Sequence, residues 1–108
     1  MSDYNVMVSE TAMAQLKQLS EYITFELQAP SAAENLLTEL ETSMATLDTF
    51  PNRIPLGRES ICRKYGLHVM VVKNYLIYFS INDSLQTVHI LAVLYGKSNQ
   101  AEFLKSLL

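Results

Sequence analysis

Hydrophobic residues recur at every third or fourth position through the first half of the chain, after a short alternating segment from Tyr4 to Val8. Spacing of this kind is typical of amphipathic helices that place one apolar stripe against a core. The sequence therefore predicts a short strand followed by two helices. The first stripe comprises Ala12, Leu16, Leu19, Ile23 and Leu27, and the second comprises Ala33, Leu36, Leu37, Leu40, Met44, Leu47 and Phe50.

The ends of both predicted helices carry local signals. Ser9 is a favourable N-cap for the first helix, with Glu10 in its first turn. Pro30 separates the two helices, and the residues from Ser31 to Glu34 have the pattern of a capping box. Because only two or three residues connect the helices, we expect them to form a helical hairpin.

The second half of the chain alternates with a period of two, which is typical of β-strands. Strands are predicted from His68 to Val72, from Tyr75 to Ile81 and from about Thr87 to Tyr95. The first two are joined by Lys73-Asn74, a two-residue turn in which asparagine tolerates a positive φ. A short edge strand is also expected near Ser60 to Lys64.

The order of these elements predicts an α+β fold, and we expect residues 1–108 to form one domain. The last predicted strand is apolar on both faces, so we expect it at the centre of a sheet that is covered on both sides. The hairpin can cover one face. A short C-terminal helix that carries Phe103 and Leu104 covers little of the other, so a partner chain is expected to cover part of it.

Composition and charge narrow the class of protein. The chain has 108 residues, of which 49% are hydrophobic and 18% are charged, as is usual for globular domains. A net charge of −3 disfavours broad binding of nucleic acid through phosphate contacts. No apolar run is long enough to cross a membrane, no signal peptide is visible, and the lone cysteine, Cys62, fits a reducing compartment. A cytoplasmic protein without a membrane partner is therefore predicted.

The cations are concentrated in the middle of the chain. Four of the eight, Arg53, Arg58, Arg63 and Lys64, fall within twelve residues, whereas most acids lie between Glu10 and Asp48. This basic stretch is either a functional surface or a solvated loop.

Short motifs occur in a fixed order along nearly the whole chain: Val6-Met7-Val8-Ser9, Tyr22-Ile23, Pro30-x-x-Ala33, Leu47-x-x-Phe50-Pro51, Val71 to Tyr78 and Val88 to Gly96. Their order and spacing resemble the RelE/ParE superfamily of type II toxin–antitoxin toxins. The resemblance implies a twisted antiparallel sheet packed on the helical hairpin. It also implies a growth-inhibiting toxin, of the kind linked to plasmid stabilisation, that a cognate antitoxin wraps and neutralises in a hetero-oligomer.

The resemblance leaves the mechanism open between two branches. ParE-like toxins bind DNA gyrase, whereas RelE-like toxins cut messenger RNA on the ribosome with cations and a proton-transfer residue. Positions where RelE-like toxins carry cations map near Val69 and Val71 and on Leu76. We therefore predict a toxin that acts by binding gyrase. The alternatives are a metal-independent, ribosome-dependent endoribonuclease and an attenuated homologue that survives as an antitoxin-binding module.

If the chain is a nuclease, its predicted catalytic residues are Arg58, Arg63, Lys64, Tyr95 and Lys97. Further candidates are His68, Lys73 and His89. Each has a structural alternative: Tyr95 as a core ring, Lys73 as a solvated turn residue and the histidines as packing residues. No metal-ligand spacing or phosphate-binding glycine loop is present in the sequence, so no metal or other cofactor is predicted.

Overall fold

One four-stranded sheet organises the fold. The structure, a computed structural model, describes residues 3–96 and 100–107. The strands are β1 (Asn5–Val8), β2 (His68–Val72), β3 (Tyr75–Asn82) and β4 (Thr87–Tyr95), in the spatial order β1-β4-β3-β2. β4 therefore lies inside the sheet, as its two apolar faces predicted. It pairs antiparallel with β3 and parallel with β1.

The helices confirm the predicted α+β class. They are α1 (Glu10–Glu21), α2 (Pro30–Ala45), α3 (Ser60–Tyr65) and α4 (Gln100–Leu107). A π-helical segment, Tyr22–Glu26, extends α1, and two single turns of 3-10 helix follow α2 at Thr46–Asp48 and Pro51–Arg53. Among the described residues, no helix is both long and apolar enough to cross a membrane.

The helices α1 and α2 cover one face of the sheet, which we call the first face. Their apolar stripes pack on alternate residues of β3 and β4, and this places the main core between hairpin and sheet. Leu40, Phe79 and Ile90 are fully buried there. Most of the predicted stripe residues therefore belong to this core, whereas the last member of each stripe is exposed. Leu27 and Phe50 are 56% and 64% exposed.

Backbone geometry explains both exceptions. The Leu27 N–H donates to the Tyr22 carbonyl at 3.2 Å, five residues back, so the π-helical turn ends the spacing that would have carried Leu27 to the core. Phe50 has a left-handed φ of 44° before the second 3-10 turn, and its ring points to solvent.

The opposite face, the second face, is covered by α3 and α4 together. Cys62 of α3 and Leu104 of α4 are buried in a second core with Leu67, Tyr78 and Ala92. The C-terminal helix was expected to cover little of this face, and α3, which was not predicted as a helix, adds to its cover. The partner chain expected over the rest of the face stays a prediction. Gly57 permits the close approach, because a Cβ there would lie 2.6 Å from Cys62 Sγ and 2.7 Å from Val69 Cγ2.

The edge strand predicted near Ser60 to Lys64 was wrong, since these residues form α3. Ile61 and Cys62 pack inward while Arg63 and Lys64 stay exposed, which is a one-sided helical arrangement. The helix ends at Gly66, whose φ of 68° suits glycine, and the Leu67 N–H then donates to the Cys62 carbonyl at 2.8 Å.

Three local predictions can be compared with the structure. The Ser9 cap is confirmed, since its Oγ accepts a hydrogen bond from the Ala12 N–H at 3.0 Å. The capping box was wrong: α2 begins at Pro30, so Ser31 already lies in the first turn and cannot be the cap. The turn between β2 and β3 is confirmed, but Lys73, with a φ of 54°, takes the left-handed conformation in place of asparagine.

Candidate functional site

Three of the four cations of the basic stretch, Arg58, Arg63 and Lys64, form an exposed surface on and beside α3. The fourth, Arg53, lies in the 3-10 turn Pro51–Arg53, where its guanidinium donates to the Thr49 carbonyl at 2.6 Å. Arg63 and Lys64 lie in the last turn of the helix, where positive charge is favourable to the helix dipole. The Arg63 Nη2 donates to the Arg58 carbonyl at 2.9 Å, and the Lys64 Nζ lies 5.4 Å from the centre of the Tyr65 ring. These contacts orient two of the three cations, whereas the Arg58 guanidinium forms no ion pair with a described residue.

A cleft between α3 and α4 adds a cation that the sequence did not single out. The cleft has a volume of about 430 Å³ and is lined by Lys64, Tyr65 and Lys105, together with Ser60 and Ile61. Lys105 is forty positions beyond Tyr65 in the sequence. Only the packing of α4 beside α3 brings it to this surface. The periodicity of α4 along the sequence does not indicate that Lys105 lies beside Lys64.

Tyr95 lies elsewhere, at the end of β4, on the first face. Its ring is 5.6 Å from that of Tyr75, the opposite residue of β3, with an angle of 58° between the planes. The two rings border an aromatic cleft of about 670 Å³, whose described lining residues are all uncharged. They are Gln15, Gln18, Leu19, Tyr22, Leu27, Tyr75, Val93, Leu94 and Tyr95.

Contacts between α1 and β4 hold this aromatic cleft in place. Leu91 is an extra residue in β4, because Ala92 pairs with Tyr78 and Ile90 pairs with Phe79. Ser9 Oγ donates to the Leu91 carbonyl at 3.1 Å. Gln15 Oε1 then accepts a hydrogen bond from the Val93 N–H at 2.8 Å, and this fixes α1 against the end of the strand.

The aromatic cleft also shifts the pKa of one of its tyrosines. Burial raises the pKa of Tyr75, and the neighbouring Tyr95 and Tyr22 raise it further. Its hydroxyl therefore stays protonated at neutral pH and is a hydrogen-bond donor. An uncharged cleft with aromatic walls suits the side chains of a protein partner better than it suits a phosphate.

A shallow groove crosses the second face from the basic surface beside α3 toward the end of β4 at Tyr95, and we call it the apolar trough. Its floor is formed by Leu56, Val69, Val71 and Leu76, and three charged residues, Arg58, Glu59 and Lys73, line its borders. Two adjoining depressions of about 310 and 240 Å³ share Val71 and Leu76. Tyr78 lies beneath the larger depression, and burial raises the pKa of its phenol so that it stays neutral.

The trough separates the predicted catalytic residues. Arg58 lies at one end of it, and Tyr95 with Lys73 at the other. Arg63 lies on α3, where Lys64 faces the cleft against α4. The described members of the predicted catalytic set therefore lie at different cavities and do not form one site. Lys97, the fifth member, lies outside the described residues.

The remaining candidates have structural contacts of their own. Lys73 Nζ is 3.3 Å from Glu39 Oε2 of α2. His68 Nδ1 is hydrogen-bonded to the Ile54 carbonyl at 2.6 Å, and its ring stacks on Phe79 at 5.2 Å. His89 lies in β4 opposite Ser80. These contacts account for Lys73 and His68 as parts of the scaffold.

Cys62 has the properties of a structural thiol. Its side chain is buried, and burial, with a smaller contribution from the Glu59 carboxylate, raises its pKa from 9.0 to about 11. A thiol with so high a pKa is a poor nucleophile at neutral pH. Within residues 3–96 and 100–107, no group of three potential metal ligands comes together.

Comparison with known proteins points to one family. Residues 6–100 match the model of the "ParE toxin of type II toxin-antitoxin system, parDE". No curated protein sequence matches the chain.

Solved structures share the fold at low sequence identity. A structure of the chromosomal ParDE toxin–antitoxin system from P. aeruginosa has a TM-score of 0.72 at 13% identity, over 86% of this chain and 96% of that one. The RelBE2 complex from Mycobacterium tuberculosis has a TM-score of 0.59 at 22% identity, over 86% and 98%. The archaeal RelE–RelB complex from Pyrococcus horikoshii OT3 has a TM-score of 0.52 at 13% identity, over 88% and 97%.

Proposed function

The chain belongs to the ParE toxin family of type II toxin–antitoxin systems, and on that premise we propose that it acts by binding and inhibiting DNA gyrase. The work of such a toxin is done by a surface that recognises a protein, and no reaction needs to be catalysed. We propose further that it acts in the cytoplasm as a single domain and is neutralised there by a cognate antitoxin. Structures that share its fold were solved as toxin–antitoxin complexes.

The apolar trough is the main support for the proposal that the chain binds gyrase. An RNA-cleaving toxin needs positive charge around the scissile phosphate, because the transition state carries more negative charge than the substrate. The cations of RelE-like toxins map near Val69 and Val71 and on Leu76, and in this chain these three residues form an uncharged floor. The aromatic cleft beside Tyr95 supports the same conclusion, since exposed tyrosines are frequent in the centres of protein interfaces.

A ribosome-dependent endoribonuclease is the second candidate, and one observation favours it. Arg58 and Tyr95 lie at opposite ends of the same trough, and both are exposed. An RNA strand along the trough would meet a cation at one end and would reach Tyr95 at the other, where the tyrosine ring lies on the first face against Tyr75. Arg63 and Lys64 would then contact flanking phosphates from α3.

Induction of the chain in bacteria separates the candidates. Incorporation of labelled thymidine and of labelled amino acids is followed over the first minutes after induction. The gyrase proposal expects early loss of DNA synthesis with intact transcripts. Early loss of protein synthesis with cleaved transcripts would select the nuclease, and normal growth at full expression would select the attenuated homologue.

A double variant tests the basic surface directly. Arg63→Ala with Lys64→Ala removes two exposed charges and no core side chain, so the fold should be unchanged. Loss of toxicity would show that α3 contacts the target. A matched control is Lys17→Ala, which removes an exposed lysine from α1 on the other side of the sheet.

A further inference from the structure

Two lysines from different helices line the cleft between α3 and α4. Lys64 belongs to α3 and Lys105 to α4, and Ser60, Ile61 and Tyr65 complete the described lining. Neither lysine forms an ion pair with a described residue. Two like charges at one cleft repel each other in the free protein, and an anion bound between them would offset that repulsion. The cleft therefore has the charge of an anion site.

The acids that lie close to this cleft in the sequence do not belong to its described lining. Glu59 precedes α3, and its carboxylate accepts a hydrogen bond from the buried Cys62 thiol at 3.7 Å, so it faces the second core. Glu102 lies on α4, but it is not among the described residues that line the cleft. The two ammonium groups are therefore the only charges of the described lining.

Buried side chains fix both walls of the cleft. Cys62 anchors α3 in the second core, and Leu104 anchors α4 in the same core. Lys64 and Lys105 therefore project from packed helices and not from a loop. The Lys64 Nζ also lies 5.4 Å from the centre of the Tyr65 ring, which restricts the ammonium group further. A preformed site of this kind loses little conformational freedom when it binds a ligand.

The donors of the cleft suit a phosphate group. Lys64 and Lys105 are point charges with three donors each, and the Ser60 hydroxyl adds a neutral donor. A planar carboxylate is recognised best by the fork of an arginine, and neither lining cation is one. Ile61 and the exposed Tyr65 ring add apolar surface, which suits the sugar and base that adjoin a phosphate in a nucleic acid.

Exposed cations continue beyond the cleft, which favours a polymer of phosphates over a small phosphorylated molecule. Arg63 precedes Lys64 on α3, and its Nη2 donates to the Arg58 carbonyl at 2.9 Å. Arg58 in turn borders the apolar trough. A small molecule would use only the cleft, whereas a nucleic-acid strand would also use the arginines.

The cleft is too weakly charged to hold free nucleic acid by itself. Two lysines neutralise only two phosphates, and the net charge of −3 opposes the approach of a polyanion. The contact therefore adds to affinity only where another protein already holds the strand beside the toxin. DNA gyrase holds DNA during its reaction. A toxin bound to gyrase would meet that DNA at a high effective concentration.

We propose that the α3–α4 cleft binds a phosphate group of the DNA that gyrase holds, so that the toxin recognises the gyrase–DNA complex better than gyrase alone. This inference rests on the proposed function, which supplies gyrase as the partner. Lys64 and Lys105 contact the phosphate, Ser60 donates a hydrogen bond to it, and the Tyr65 ring packs against the adjoining nucleoside.

Titration of the toxin with gyrase, in the presence and absence of a linear DNA duplex, tests the proposal. The Kd is measured at about 50 and about 200 mM salt. The unsubstituted toxin should bind the gyrase–DNA complex about tenfold more tightly than gyrase alone at the lower salt concentration, and this gain should shrink at the higher one.

Lys105→Ala should remove most of the gain that DNA provides. It should also reduce the slope of log Kd against log salt for the gyrase–DNA complex by about one, because one phosphate contact is lost. Lys105→Arg keeps the charge and should retain the slope. The matched control is Lys17→Ala, which removes an exposed helical lysine on the other side of the sheet and should change neither value. Both lysines are exposed, so circular dichroism should show an unchanged fold.

A second measurement examines the cleft without gyrase. Amide resonances of the free toxin are followed by NMR during titration with a short single-stranded DNA at low salt. Shifts confined to α3 and α4, and lost in Lys105→Ala, are expected. If the toxin bound no gyrase, the proposed function would fail, whereas these shifts would still identify the phosphate site.

Four outcomes would overturn the inference. Equal affinity of the toxin for gyrase with and without DNA would exclude the DNA contact. Weaker binding of Lys105→Ala to gyrase alone would assign the cleft to an acidic surface of the enzyme, and weaker binding to the antitoxin would assign it to that partner. NMR shifts that avoid α3 and α4 would exclude the phosphate site itself.

Discussion

The two faces of the sheet are covered by unequal layers. On the first face, α1 and α2 are 12 and 16 residues long and bury a continuous core. On the second face, α3 and α4 have only six and eight residues and leave the apolar trough open. Buried apolar area scales with the covering layer, so most of the folding free energy should come from the first face. On the second face, the apolar trough stays open to a partner.

Charged side chains are also distributed unequally between the two faces. The helices of the first face carry five glutamates and one lysine, whereas the second side carries the four cations Arg58, Arg63, Lys64 and Lys105 against the two acids Glu59 and Glu102. A net charge of −3 therefore conceals a basic surface opposite an acidic one. Such a field steers an approaching partner by charge, and its effect on association rates should fall with salt.

The largest effect on stability is expected from a truncation in the first-face core. Leu40→Ala removes a fully buried side chain of α2 and should lower the free energy of unfolding by about 2–5 kcal/mol, because it leaves a cavity. Val71→Ala, on the second face, should change it by less than about 0.5 kcal/mol. Urea unfolding of both variants measures the difference. Equal losses would contradict the division of roles between the faces.

A smaller effect is expected where α3 meets the sheet. Gly57→Ala places a methyl group against Cys62 Sγ and Val69 Cγ2, so overpacking should cost about 1–3 kcal/mol. The control is Gly66→Ala, which meets open space and loses only the ease of a positive φ, for about 1 kcal/mol. Thermal unfolding compares them. A neutral Gly57→Ala would show that α3 is loosely packed.

The smallest effect concerns pH. Because the folded pKa of Cys62 is raised to about 11 from 9.0, the folded state retains its proton longer than the unfolded state does. The resulting stabilisation is fully present below pH 9 and is lost as the pH rises toward 11. Cys62→Ala should show a shallower decline in unfolding free energy between pH 8 and pH 10.5. Parallel curves for the two proteins would mean that the thiol is not protected by the second face.

Much of the first face could be predicted from sequence, because local periodicity determines it. The stripes of α1 and α2 and the alternation of β2, β3 and β4 each depend on neighbours within a few residues. The predictions failed at the end of the first stripe and at the start of α2, for local reasons that periodicity does not indicate. The π-helical turn at Tyr22–Glu26 changes the spacing, and Pro30 starts α2 before the serine that was expected to cap it.

The second face was harder to predict for a physical reason. α3 has only six residues, too few for helical periodicity to be distinguished from strand alternation. The trough depends on residues from a loop and two strands, and the α3–α4 cleft joins Lys64 to Lys105. Three-dimensional packing creates these surfaces. The family motifs predicted the fold around them, but not the separation of Tyr95 from the cations of α3.

Gyrase and ribosome assays with the purified toxin distinguish inhibition of DNA gyrase from cleavage of messenger RNA. Supercoiling by DNA gyrase and cleavage of a messenger RNA on purified ribosomes are measured over the same range of toxin concentrations. We expect supercoiling to be inhibited and the RNA to stay intact, with the inhibition reversed by an equimolar amount of antitoxin. Ribosome-dependent cleavage of the RNA with unaffected supercoiling would contradict this expectation.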